Sequence, residues 1–178
     1  MRRAANDRRN GDNRIERVIG MARVDKVNYY LDIAQTVAER STCLRSRFGA
    51  IIVKNDEIVS TGYTGAPRGR KNCTNLRFCA EESGEGLACR SVHAEENAII
   101  SAARGEMIGA VLYLVGQDAR TGEIDETAMP CAHCKRLIIN AGIARIVVRR
   151  AEGRFAAVDV RDWVFLDDTL PQRMQHVR

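Results

Sequence analysis

Between Val24 and Arg40 the apolar residues fall at Val27, Tyr30, Leu31, Ala34, Val37 and Ala38. Steps of three and four gather side chains on one side of a helix, so a helix with one buried face is predicted for 24–40. The next apolar stretches are short and β-branched. Phe48 to Val53 and Ile58 to Tyr63 flank the turn-forming pair Asn55-Asp56, which predicts a β-hairpin. Gly62, Gly65, Pro67 and Gly69 then interrupt regular structure, and 64–92 reads as one long loop. Loops of that length are uncommon unless function or a tether holds them. Helical spacing returns at His93 with Ala94, Ala98, Ile99 and Ala102, predicting a helix that runs to about Arg104. Ala110 to Val115 is a third strand. Cys131 to Asn140 is a further helix, closed by Gly142. Ile146 to Val148 is a fourth strand and Val158 to Phe165 a fifth, although Asp159, Arg161 and Asp162 sit awkwardly in it. Strands alternating with helices imply an α/β sandwich whose sheet is covered on both faces.

At 178 residues the chain has the size of one domain with trimmings. Apolar residues make up 45% of it, yet no run approaches the roughly 20 residues that a membrane-spanning helix needs. The first 23 residues lack the apolar segment of a secretory signal, so a cytoplasmic location is expected. Those residues carry seven arginines against Asp7, Asp12 and Glu16, which is most of the formal net charge of +5. They read as a basic, disordered arm (1–23) that could touch an anionic surface or simply be solvated; Met21 is an alternative start. The folded body is placed at 24–166 and a tail at 167–178. With the arm set aside the body is nearly neutral, which gives little electrostatic basis for a polynucleotide groove.

The composition changes the picture most through its six cysteines, at 43, 73, 79, 89, 131 and 134. Without an export signal they point to metal binding or catalysis before disulfides. Two short motifs carry the chemistry: His93-Ala94-Glu95 and Pro130-Cys131-Ala132-His133-Cys134. Zn²⁺ accepts imidazole and thiolate in a tetrahedral set, and three protein ligands leave one position for water. Cys131 and Cys134 are three apart at a helix start, where both sulfurs can face one ion and the positive helix end favours thiolates. His93 and Glu95 project about 200° apart on an ideal helix, so His93 is read as a ligand and Glu95 as the carboxylate beside the water. His133 is read as a surface or packing residue, and Glu96 as a solvated or hydrogen-bonded helix position.

H-x-E followed by P-C-x-x-C is the signature of zinc deaminases. From about Val27 to Arg149 the chain resembles the deoxycytidylate (dCMP) deaminases of the cytidine deaminase superfamily. Further stretches that carry this are Ser41-Thr42-Cys43, Phe48-Gly49-Ala50-Ile51-Ile52-Val53, Ser60-Thr61-Gly62-Tyr63, Gly65-Ala66-Pro67 and Ala141-Gly142-Ile143. The resemblance implies a three-layer α/β/α sandwich with a mixed five-stranded sheet, a catalytic zinc on His93, Cys131 and Cys134, and Glu95 as the proton carrier. It also implies hydrolysis of dCMP to dUMP and ammonia, a homo-oligomer often of six subunits, and regulation by dCTP and dTTP.

Some members of this family carry a second, structural zinc with cysteines matching Cys43 and Cys73; Cys79 and Cys89 would complete it here, the alternative being four free thiols. The expected substrate contacts are Thr64, Ala94, Arg47, Arg68 and Phe155. The family's Gly-Tyr-Asn-Gly reads Gly62-Tyr63-Thr64-Gly65 in this chain, and Thr64 offers a hydroxyl without the paired donor and acceptor of an amide. Phe155 stands where relatives cap the pyrimidine with an aromatic ring, and it is equally a core candidate. Other readings are deamination of another cytosine nucleotide, a tRNA adenosine deaminase, and a non-catalytic deaminase-like regulatory module.

Overall fold

The computed structural model describes residues 23–151 and 153–166; the arm before residue 23 and the tail from 167 lie outside them. The elements run α1 (Lys26–Ala38), β1 (Ser46–Lys54), β2 (Glu57–Tyr63), α2 (Cys73–Leu76), α3 (Ala94–Ile99), α4 (Arg104–Met107), β3 (Val111–Asp118), α5 (Ala132–Ala141), β4 (Arg145–Arg149), β5 (Phe155–Asp159) and α6 (Val160–Phe165). The five strands form one sheet in the order β2-β1-β3-β4-β5. Only β3 and β4 pair in parallel; the other neighbours are antiparallel. A parallel pair needs a crossover, and α5 lies within the connection from β3 to β4.

The sheet separates two cores, as the alternation of side chains along a strand requires. Ile51, Val53, Tyr113, Val115 and Val147 face α1, meeting Tyr30, Leu31 and Ala34. Their sequence neighbours Ala50, Ile52, Leu112, Leu114, Ile146 and Val148 face the opposite way, onto Ala94 and Ala98 of α3, Cys134 and Ile138 of α5 and Val160 of α6. The three-layer α/β/α sandwich with a mixed sheet is the observed architecture.

Local signals explain most boundaries. Asp25 caps α1 by accepting from the N–H groups of Val27 and Asn28. Asn55 and Asp56 both take positive φ, as a tight two-residue hairpin turn demands. Gly142 ends α5 in the left-handed conformation at φ 80°.

Two predicted elements differ. The helix expected from His93 to Arg104 is α3, which ends at Ile99; after a short turn a separate α4 opens where Glu106 accepts from the N–H of Ala103. The fifth strand is Phe155–Asp159, and most of what was predicted as its continuation is α6. Asp159 accepts from the N–H of Arg161 and starts that helix. The charged residues that sat awkwardly in a strand are thus a helix cap and a first turn. Among the described residues no helix is long and apolar enough to cross a membrane.

Candidate active site

The site lies on the α3/α5 face of the sheet, where the N-termini of those two helices meet. His93 is the N-cap of α3, in extended conformation, so its side chain leaves before the helix begins. Cys131 is the N-cap of α5 and Cys134 stands in its first turn. The His93 Nδ1 atom is 3.6 Å from Cys131 Sγ and 3.3 Å from Cys134 Sγ. All three donor atoms lie within 4.8 Å of one another, the one such group among the described residues. A tetrahedral zinc with Zn–N near 2.0–2.1 Å and Zn–S near 2.3 Å separates N from S by about 3.6 Å, so the donor set fits the ion in both chemistry and spacing.

Glu95 follows in the first turn of α3 and is 4% exposed. Burial pushes its carboxyl above the ordinary 4.5, opposed by a backbone N–H, by His93 and by the Cys134 thiol that bonds to it. Burial likewise drives the Cys134 thiol upward, and Glu95 adds to this. A nearby cation, such as a bound metal would be, favours the thiolate and offsets this.

His93, Glu95 and Cys131 open into a cavity of about 220 Å³ whose walls include Thr64, Phe48, Met129, Arg45, Ser46 and Ser91. That volume lies just below the roughly 300–1,000 Å³ of drug-sized ligand pockets and suits a single-ring base with part of its sugar. Phe48 can lie against the sheet because position 116 is glycine: a Cβ there would stand 2.6 Å from the Phe48 ring. Thr64 is buried in the cavity wall, and Ala94 is buried at the start of α3.

The remaining expected contacts are more dispersed. Arg47 lines a neighbouring pocket with Arg77 and Arg120, which shares Cys43 with the reaction cavity. Arg68 is exposed on the loop after β2, and Phe155 opens the edge strand β5, 42% exposed; neither is among the residues that line the cavity. Cys43, Cys73, Cys79 and Cys89 gather at one corner, near enough for the other three to raise the buried Cys73 thiol together with its burial. All four are free, and they do not close to the spacing of a metal group.

Sequence reasoning missed several wall residues. Ser91 had a usable signal: it stands two positions before His93 in an extended segment, where alternate side chains share a side, and Gly65 pairs with the intervening Val92. Ser46 and Met129 had none, because they belong to the wall only through the way the chain folds around the cavity.

The comparisons with known proteins agree with this geometry. Residues 24–150 match the model of the cytidine and deoxycytidylate deaminase zinc-binding region. A deoxycytidylate deaminase of Mycobacterium phage D29 is 36% identical over 135 residues, covering 71% of this chain and 96% of that protein. The deoxycytidylate deaminase of Schizosaccharomyces pombe is 34% identical over 128 residues, 67% of this chain, and the match spans only 35% of that longer protein. Among solved structures, the dCMP deaminase of cyanophage S-TIM5 in complex with dCMP and dUMP superposes with a TM-score of 0.52 at 28% identity, covering 68% of this chain and 79% of that one. With a buried carboxylate set beside a His/Cys/Cys triangle and a match across most of its length, the chain belongs to the cytidine and deoxycytidylate deaminase zinc-binding family.

Proposed function

We propose that the chain hydrolyses dCMP to dUMP and ammonia, supplying dUMP for thymidylate synthesis. The observation that carries this is the His93–Cys131–Cys134 triangle beside buried Glu95 at one end of a base-sized cavity. The deoxycytidylate deaminases among its relatives and the cyanophage complex with dCMP and dUMP support the choice of nucleotide.

Zinc held by His93, Cys131 and Cys134 would act as a Lewis acid that makes water nucleophilic at neutral pH. Glu95 takes a proton from the attacking water and passes it to N3 of the cytosine as C4 accepts the oxygen. It then carries the second proton to the 4-amino group; the C4–N bond breaks, the C4 carbonyl forms and ammonia leaves. The raised affinity of Glu95 for protons suits a group that must both accept and return them. Phe48 and Met129 provide apolar walls for the ring, and Thr64 offers its hydroxyl to the sugar. Arg45 in the cavity wall and Arg47 across the shared Cys43 stand where a 5′-phosphate leaving the cavity would meet cations. Arg68 and Phe155 become substrate contacts only if the surrounding segments close over the nucleotide.

The finer features follow the family: a homo-oligomer, often of six subunits, control by dCTP and dTTP, a cytoplasmic location, and a second zinc that would draw Cys43, Cys73, Cys79 and Cys89 closer together. Ammonia release from dCMP, CMP, dCTP, deoxycytidine and a tRNA tests the substrate, with dCMP expected to be used best. Glu95→Gln should lower kcat by about 10²–10⁴-fold while metal analysis still finds the wild-type zinc content. Substantial turnover by this variant would remove Glu95 from its role. The same metal analysis decides between one ion per chain and two.

A further inference from the structure

Glu96 touches both metal-binding segments at once. Its Oε2 accepts the backbone N–H of His93 at 2.9 Å, and its Oε1 lies 2.9 Å from Nε2 of His133. His133 stands between Cys131 and Cys134 in the first turn of α5. Glu95 and Glu96 are consecutive in α3, so their side chains point about 100° apart: one carboxylate is buried by the reaction cavity, the other is directed at the neighbouring helix.

We propose that Glu96 and His133 are positioning residues, a carboxylate–imidazole strut that sets the start of α3 against the start of α5 and so holds His93 at the right distance from Cys131 and Cys134. The inference rests on the zinc reading above. Three donor atoms that come from two helices have no fixed spacing unless the helices do. Where α3 and α5 meet, Ala98 and Ile138 belong to the same apolar core, but apolar contact is non-directional and fixes a small slide or rotation less sharply than a hydrogen bond does. A hydrogen bond fixes both distance and angle. The Glu96 carboxylate supplies one such bond on each side of the gap, one to the residue that is itself a ligand and one to the residue between the other two ligands. Partners of this outer kind orient the groups that hold a metal, and their loss typically weakens binding by about 10–100-fold.

The side chain of His133 is 57% exposed, and exposed pairs contribute little to folding. Removing it should therefore loosen the metal without melting the protein, which separates a positioning role from a merely structural one. The test uses the zinc-loaded full chain as wild type, His133→Ala, Glu96→Ala, the double variant and His133→Gln, each mixed with excess chromophoric chelator to follow zinc release. Both alanine variants are expected to release zinc roughly tenfold faster or more, and the double variant no faster than the quicker single one. His133→Gln, whose amide can still donate to Glu96, should recover most of the wild-type rate, and His133→Ala should keep the wild-type melting temperature without metal. A wild-type rate in His133→Ala, or single effects that multiply in the double variant, would overturn the strut alone. A wild-type chain that takes up no zinc would instead overturn the zinc reading, and the strut with it.

Discussion

In the proposed reaction Glu95 carries the chemistry, and the same buried carboxyl carries a cost to the fold. Burial raises its carboxyl above the ordinary 4.5, so the native state holds this proton more tightly than the unfolded chain does. Linkage then gives the sign: the stabilisation is complete below the unfolded value and is lost as pH rises through the native one. In metal-free protein, Glu95→Gln should melt at a higher temperature than wild type at about pH 7.5, with the difference shrinking toward zero near about pH 4. Melting curves at the two pH values test this; a constant difference would mean that the carboxyl does not titrate differently on folding. That His93, Glu95, Cys131 and Cys134 come together was legible because their motif spacing is itself chemical information. The bond between Glu96 and His133 was not, since it joins residues 37 positions apart through the meeting of two helices. Half of its signal was available even so: a Glu three residues after a helix N-cap commonly reaches back to the N-cap N–H, as Glu96 does to His93.

At the scale of elements, the seating of two helices depends on two glycines in neighbouring strands. A Cβ at Gly49 would collide with the backbone of Ala34 and Ala38 in α1, and one at Gly62 with the backbone of Ala94 and Ala98 in α3. Neither helix can yield by turning a side chain aside. Gly49→Ala and Gly62→Ala should each cost on the order of 1–3 kcal/mol or more, measured by denaturant unfolding. Their effects on the site should part: Gly62→Ala displaces the helix that carries Glu95 and should lower zinc retention and kcat in the folded protein. Gly49→Ala acts on the far side of the sheet and should spare both; equal losses of activity would count against this division of labour. The strands β1 to β4, with α1 and α5, were legible from periodicity and turn chemistry. The end of α3 and the nature of 160–165 were not, because their apolar residues fit either reading. The outcome there turned on caps, Glu106 on Ala103 and Asp159 on Arg161, and on Val160 and Trp163 packing into the α3/α5 core.

For the molecule as a whole, the sheet keeps its two cores distinct, and among the described residues the His93, Cys131 and Cys134 group reaches only the α3/α5 core, through Cys134. An ion that binds the folded chain and not the unfolded one adds stability by mass action, about 4 kcal/mol when free metal exceeds its dissociation constant a thousandfold. Chelation should therefore lower the melting temperature and added zinc should restore it, while Cys134→Ala should remove the part of both responses that belongs to the His93, Cys131 and Cys134 group. A chelator response that survives intact in that variant would place the stabilising ion elsewhere. The three-layer plan was legible from the alternation of strands and helices. The loop-built walls of the cavity were not, because 64–92 has no periodicity to read and takes its shape from contacts such as the pairing of Gly65 with Val92.

The two halves of the metal triangle are supplied by helices that flank β3 in the chain. During synthesis the imidazole emerges well before either sulfur. A nascent chain that has grown only as far as β3 owns the nitrogen donor of this centre and neither Cys131 nor Cys134, the two sulfurs that complete it, too little to hold an ion there. Capture of an ion at this centre would thus belong to a late stage of assembly, and its occupancy would certify that the polypeptide has been made and folded through α5.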